Sequence, residues 1–195
     1  MRGFLYGETI LIKILMNIYF VRHGQSESNA GNGSAHSTTN LSIIGSQQVE
    51  ILAARLKELS INVILSSNYA RARQTAEIIN KNINLPIYFS DILIEENGEE
   101  ENFEDLKNRA IKALEYIISY NSENVLVVGH AKFLKMIFCI MLWGEGLTND
   151  EYLAIRNKTS LNNAGITWFT YNREDKEMYL VTMNDLAHLN ELITS

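Results

Sequence analysis

The chain has 195 residues, and it is poor in cysteine, proline and histidine and carries no excess of positive charge. A single cysteine, Cys139, excludes an internal disulfide. It stands in the apolar run FLKMIFCIMLW, where a buried thiol on a helix is expected; the cluster of cations that would make it reactive is missing. This cysteine usage fits a reducing compartment, the cytoplasm. The formal net charge of −6 argues against general nucleic-acid binding, which needs a basic face. It leaves room for an anionic substrate, because a few clustered cations outweigh a distant negative surface. No apolar run is long enough to span a bilayer, so a membrane is not an expected partner. Residues 1–15 hold an apolar stretch that Lys13 interrupts, with no small-residue cleavage site behind it. They read as an extension dispensable for chemistry rather than an export signal. The sequence also has no repeat, no low-complexity segment and no clear linker, so residues 16–195 are expected to form one domain.

What is present is a regular alternation of short and long apolar patterns. Apolar residues make up 46% of the chain, enough for a sizeable core. Strands are expected at residues 18–21, 63–65, 86–89, 125–128, 166–171 and 178–181. Helices are expected at 42–59, 70–80, 106–120 and 131–143, followed by a further, mostly helical stretch. Val49, Leu52, Ala53 and Leu56 share one face of the first helix; Leu106, Ala110, Ala113, Leu114 and Ile117 share one face of the third. The stretch 25–40 is rich in Ser, Asn and Gly and reads as a loop. Residues 91–105 are acidic and irregular. Alternation of this kind predicts a three-layer α/β/α fold on a mostly parallel sheet, with 125–128 as a central strand.

Chemistry-bearing residues collect where such strands end. His23 follows the first strand and His130 follows VLVVG, and a parallel sheet brings both to one rim, where ligands bind. Arg22 adjoins His23. Arg71 opens the helix after the second strand, whose free N–H groups and positive dipole end favour anions. Two histidines and two arginines on one rim suit a dianionic phosphoryl group, since guanidinium forks pair with two oxygens at once. A neutral imidazole is a nucleophile near neutral pH. A leaving alkoxide needs a proton, and the acidic stretch offers Glu95 and Glu96. Arg73, two helical positions from Arg71, lies about 200° round the axis and should face solvent. His36 is expected at the surface, and His188 in a structural role near the sheet.

Five segments in order carry a resemblance. They are FVRHGQSESN (20–29), LSIIGSQQ (41–48), SSNYARARQTAEII (66–79), VLVVGHAKFLKMI (125–137) and NDLAHL (184–189). Together they resemble the motifs of the histidine phosphatase superfamily, the phosphoglycerate mutase-like fold. The resemblance implies that His23 is phosphorylated during turnover. It implies that Arg22, Asn29, Arg71 and His130 complete the phosphate pocket, and that Glu95, in LIEENG, donates the proton, with Glu96 and Glu99 as alternates. It further implies that neither a metal nor an organic cofactor is required. Only about thirteen residues separate Glu95 from the helix that carries Arg109, and the tryptophan often found after the acid is missing, so a small cap over an open site is expected. The function implied is hydrolysis of a small phosphorylated metabolite; a monomer or weak homodimer is expected. Phosphoglycerate mutase, phosphoprotein phosphatase and an inactive phosphate-binding module are the alternatives.

Overall fold

The computed structural model describes residues 15–97 and 100–194. The N-terminal extension lies outside them except for Leu15, and so does Glu99. Six strands, β1 (Leu15–Arg22), β2 (Val63–Ser67), β3 (Ile87–Ser90), β4 (Asn124–Gly129), β5 (Ile166–Asn172) and β6 (Met178–Asp185), form one sheet in the order β3-β2-β4-β1-β5-β6. The first four of that order run parallel, while β5 is antiparallel to both β1 and β6. The helices are α1 (Ile43–Leu56), α2 (Ala70–Ile83), α3 (Phe103–Ser119), α4 (Ala131–Trp143) and α5 (Asn149–Lys158).

The strand period of two decides which helices cover which face. In β1, Met16, Ile18 and Phe20 point into a core shared with α3 and α4, while Tyr19 and Val21 join α1 and α2 on the opposite face. Both faces of the sheet are therefore covered, which is the expected three-layer arrangement. Val125, Leu126, Val127 and Val128 of β4 are fully buried, as an unbroken apolar run predicts for an inner parallel strand.

Several boundaries differ from the sequence reading; α2 runs on to Ile83 and β6 to Asp185. The third helix starts at Phe103 rather than 106, because the Asn102 side chain accepts the Asp105 N–H, and Glu104 and Asp105 then sit at the positive end of the helix dipole. The first helix stops at Leu56 and finishes in a 3₁₀ turn, Lys57–Leu59. The connection between β3 and α3 spans residues 91–102, with a single 3₁₀ turn at Asp91–Leu93, so the expected small cap holds for the described residues.

Candidate functional site

The topology brings the site together. β1 and β4 are neighbours with Arg22 opposite Gly129, and His23 N–H continues the ladder by donating to Gly129 O at 3.0 Å. The His23 and His130 rings therefore stand 5.1 Å apart between centroids. β2 lies on the other side of β4 and delivers Ser67, Tyr69 and Arg71 to the same rim. Arg71 Nε donates to His23 Nε2 at 3.1 Å, and Arg71 Nη1 donates to His36 O at 2.8 Å. The first of these bonds fixes the His23 tautomer. A guanidinium nitrogen can only donate, so Nε2 is the unprotonated nitrogen and Nδ1–H donates to Gly24 O at 2.7 Å. Arg22 Nη1 donates to Leu161 O at 2.6 Å, while Arg22 Nε and His130 Nδ1 are buried without a partner.

A cavity of about 360 Å³ opens on these groups, lined by Arg22, His23, Asn29, Arg71, Glu95 and Lys132 among others. Glu95 comes from the loop after β3. Its Oε1 accepts N–H groups of Phe133, in the first turn of α4, and of Glu96, both at 3.0 Å. Among the described residues, Glu95 Oε2 has no hydrogen-bond partner. Glu96 is committed elsewhere, since its Oε1 accepts from Arg156 Nη1 at 3.1 Å.

The residues around the motifs build a frame for the His23 loop. Gly24 N–H donates to Thr75 Oγ1 on α2, and Gln25 N–H donates to Gln48 Oε1 on α1. Gln25 O accepts Ser42 N–H, and the Ser42 hydroxyl donates to Gln25 Oε1. From the other side, Ala164 N–H and the Asn163 amide donate to His23 O at 3.3 and 3.0 Å. A loop that would otherwise carry unpaired backbone groups in the interior is thus satisfied at nearly every atom.

Electrostatics follow from this burial. The His23 pKa is held well below the ordinary value of 6.5, first by burial and then by Arg22 and Arg71, with the Gly24 bond opposing. His130 is lowered by burial, then by His23 and the nearby arginines. Arg22 is lowered to about 10 by burial, an effect that Glu95 opposes and Arg71 reinforces. The folded state thus prefers both imidazoles neutral. Their contribution to stability is complete above the unfolded-state value near 6.5 and is lost as pH falls from there towards the folded values. Each buried histidine should add up to about 1.4 kcal/mol per pH unit to the slope between roughly pH 6.5 and 5. Urea midpoints measured across that window are expected to fall for the wild type and to fall less steeply for His130→Asn. An unchanged slope would mean that His130 takes a proton in the folded protein.

The structure brings Arg22, His23, Arg71, His130 and Glu95 together as the sequence reading expects. Asn29 lines the cavity, but its Oδ1 accepts from the Ser26 hydroxyl at 2.9 Å and from the Asn163 amide at 3.3 Å, which leaves its NH₂ group for a ligand. Glu99 lies outside the described residues. Arg73 is not solvent-facing: it is half-buried, stacks 3.7 Å from the Phe89 ring centre and donates to Asn68 Oδ1. It stays away from the cavity, because β3 supplies an aromatic platform that a single-helix argument does not contain. His36 is exposed, yet it lines the cavity mouth and its carbonyl holds Arg71. His188 Nε2 bonds Ala164 O at 3.0 Å and ties the tail to the sheet. Cys139 is buried, and burial raises its thiol to about 11 against a small opposing effect of Lys135. Sequence reasoning missed Ser67, Asn163 and Lys132. Ser67 lies inside a quoted motif; nothing local marks Asn163, which reaches the site from the far end of the chain.

Among the described residues no helix is long and apolar enough to cross a membrane, and no three His, Cys, Asp or Glu side chains gather where they could share a cation. A mostly parallel α/β sheet whose rim carries two buried histidines, a buried arginine and a half-buried one defines a protein built to hold an anion at its strand ends. The chain belongs to the histidine phosphatase superfamily (branch 1), whose family model matches residues 18–100 and 94–185. It is 26% identical over 91% of its length to the whole of a Hydrogenobacter thermophilus protein named "Putative phosphoserine phosphatase 2". It is 39% identical over 43% of its length to "Probable phosphoglycerate mutase GpmB" of Escherichia coli, a match that spans 39% of that protein. In fold it is similar to the alpha-ribazole phosphatase from Shigella flexneri, with a TM-score of 0.74 and 19% identity over 87% of this chain and 96% of that one.

Proposed function

We propose that the chain is a metal-independent phosphatase that hydrolyses small phosphomonoesters through a phosphohistidine on His23. One observation carries the reading: Arg22, His23 and Arg71 line one cavity, and beside them two buried nitrogens lack partners, Arg22 Nε and, on a ring 5.1 Å from that of His23, His130 Nδ1. A buried polar group left unpaired costs about 1–3 kcal/mol, and an anion that takes both bonds removes that cost. Phosphoryl oxygens supply acceptors in the required number, and the N-termini of α2 and α4 add favourable dipole ends.

The chemistry follows atom by atom. His23 Nε2 keeps its lone pair because burial and two cations hold the ring neutral. Once Arg71 turns its Nε–H from that nitrogen to a phosphoryl oxygen, Nε2 attacks phosphorus, the N–P bond forms and the bond from phosphorus to the ester oxygen breaks. Arg22, Arg71 and His130 hold the equatorial oxygens as charge spreads over them. Ser67 Oγ accepts Tyr69 N–H, and its own proton can go to His130 Nε2 at 2.8 Å, which puts the ring proton on Nδ1. Glu95 Oε2 gives a proton to the departing alkoxide. A water then attacks phosphorus and returns a proton to Glu95; the N–P bond breaks and inorganic phosphate leaves.

Glu95 is favoured over Glu96 because Arg156 already occupies the Glu96 carboxylate. Hydrolysis is favoured over a mutase reaction because a mutase must shield its phosphohistidine from water, and the described residues between β3 and α3 offer little cover. The names of similar proteins, phosphoserine phosphatase and alpha-ribazole phosphatase, support a small phosphorylated metabolite as substrate.

The test is turnover of a panel of monophosphates with EDTA present, for the wild type and for Arg71→Lys. The wild type should release phosphate at an undiminished rate. The lysine variant keeps the charge but loses both the bond to His23 and the fork, so kcat/KM should fall by about 10²–10³-fold. Loss of wild-type turnover on chelation, or net isomerisation of a phosphorylated sugar acid faster than its hydrolysis, would overturn the proposal.

A further inference from the structure

We infer that Arg109, which does not line the site cavity, is the positioning residue for the Glu95 proton donor; this deepens the reading of Glu95 just given and rests on it. Glu95 sits on a loop with little secondary structure of its own, in the segment 94–102. A proton donor must be held within a fraction of an ångström to be effective, and an irregular loop does not supply that by itself.

The guanidinium of Arg109, on α3, gathers this loop at four points. Nη1 donates to Ile92 O at 3.2 Å and to Ile94 O at 2.9 Å, the second being the carbonyl immediately before Glu95. Nε and Nη2 form a two-pronged pair with Glu101, at 2.6 Å each, which closes the far end of the loop. The flat face of the guanidinium lies 3.9 Å from the centre of the Phe133 ring. Phe133 is the residue whose N–H donates to Glu95 Oε1. One side chain thus fixes the backbone leading into Glu95, the residue that anchors its carboxylate, and the end of the loop beyond it.

The pair is substantially buried, with the Arg109 and Glu101 side chains 17% and 13% exposed. Bidentate geometry and partial burial distinguish it from an exposed ion pair of little consequence. Lysine has no planar fork, so it cannot make the carbonyl bonds, the paired bonds and the stacking contact at once. The arrangement leaves Glu95 Oε2 as the free atom of an otherwise fixed carboxylate, which is what proton donation requires.

A role exerted through the proton donor has a signature that a general loosening of the fold lacks. A nitrophenolate leaves without much help, whereas an alkoxide needs its proton. The experiment compares kcat and KM for p-nitrophenyl phosphate and glycerol 1-phosphate in the wild type, Glu95→Gln, Arg109→Met and Arg109→Lys, with thermal melts of each. Arg109→Met should lower kcat for the alkyl ester by about tenfold or more and for the aryl ester by less than about threefold, with KM little changed. Arg109→Lys should show a smaller loss of the same selectivity, and it gives the answer if the methionine variant does not fold. Equal losses on both esters, or none, in the arginine variants would overturn the inference while a selective loss in Glu95→Gln left the donor reading intact. A non-selective loss in Glu95→Gln would remove Glu95 as donor, and the inference about Arg109 with it.

Discussion

Replacing His23 with alanine is expected to abolish phosphate release, by about 10⁴-fold or more, because no other group can form the covalent intermediate. The expectation rests on geometry. His23 Nε2 is the unprotonated nitrogen, it lies at the cavity, and Arg71 bonds it at 3.1 Å. The fold should survive the change, since the loop is held by its backbone through Gly129, Thr75, Gln48 and Asn163 rather than by the imidazole. Rapid quenching of a reaction with substrate labelled in its phosphoryl group should trap protein-bound label in the wild type, labile in acid and stable in alkali as a phosphoramidate is. His23→Ala should trap none. Label that persisted in the variant would assign the nucleophile to another residue.

The second large effect concerns a residue that touches no substrate. Gly45→Ala should both destabilise the protein and suppress turnover. A Cβ at Gly45 would stand 1.9 Å from Gln25 O and 2.8 Å from Gln25 N, both backbone atoms that cannot swing aside. Either the N-terminus of α1 or the loop carrying His23 must move. Forced overpacking costs about 1–3 kcal/mol. Alanine in a helix is otherwise favoured over glycine by about 1 kcal/mol, so a net loss of stability can come only from the clash. A displacement of about 1 Å in the loop is enough to cost about 100-fold in rate. Gly146→Ala is the control, because a Cβ there meets nothing within 4 Å. Urea midpoints and kcat/KM for the two variants check the claim; a stable and active Gly45→Ala would mean that the loop and helix yield without consequence to the site.

The same contact shows what Ser42, Gly45 and Gln48 do together. Ser42 caps α1 and bonds Gln25, Gly45 admits the Gln25 backbone, and Gln48 takes the Gln25 N–H. Three residues that look like a helix start are a cradle for the segment next to His23. Likewise Gln74 accepts Leu41 N–H at 2.8 Å, and Thr75 accepts Gly24 N–H while donating to Arg71 O. Motif positions that seem remote from the chemistry are bound to it by backbone hydrogen bonds.

The sequence by itself determined the alternation of strands and helices, the buried β4, the two histidines and two arginines at strand ends, and the acidic residue after β3. These are local facts: side-chain periodicity, caps, and the residue types at the end of each apolar run. Only the tertiary structure decided that Arg73 stacks on Phe89, that Glu96 is taken by Arg156, and that Asn163 supports the His23 carbonyl. It alone brought Arg109 against Phe133 and the loop before Glu95. Each of these contacts joins segments distant in the chain, and its geometry depends on strand order and helix packing. Periodicity tells which face of an element is buried, but the partner that the face meets is fixed when the layers close.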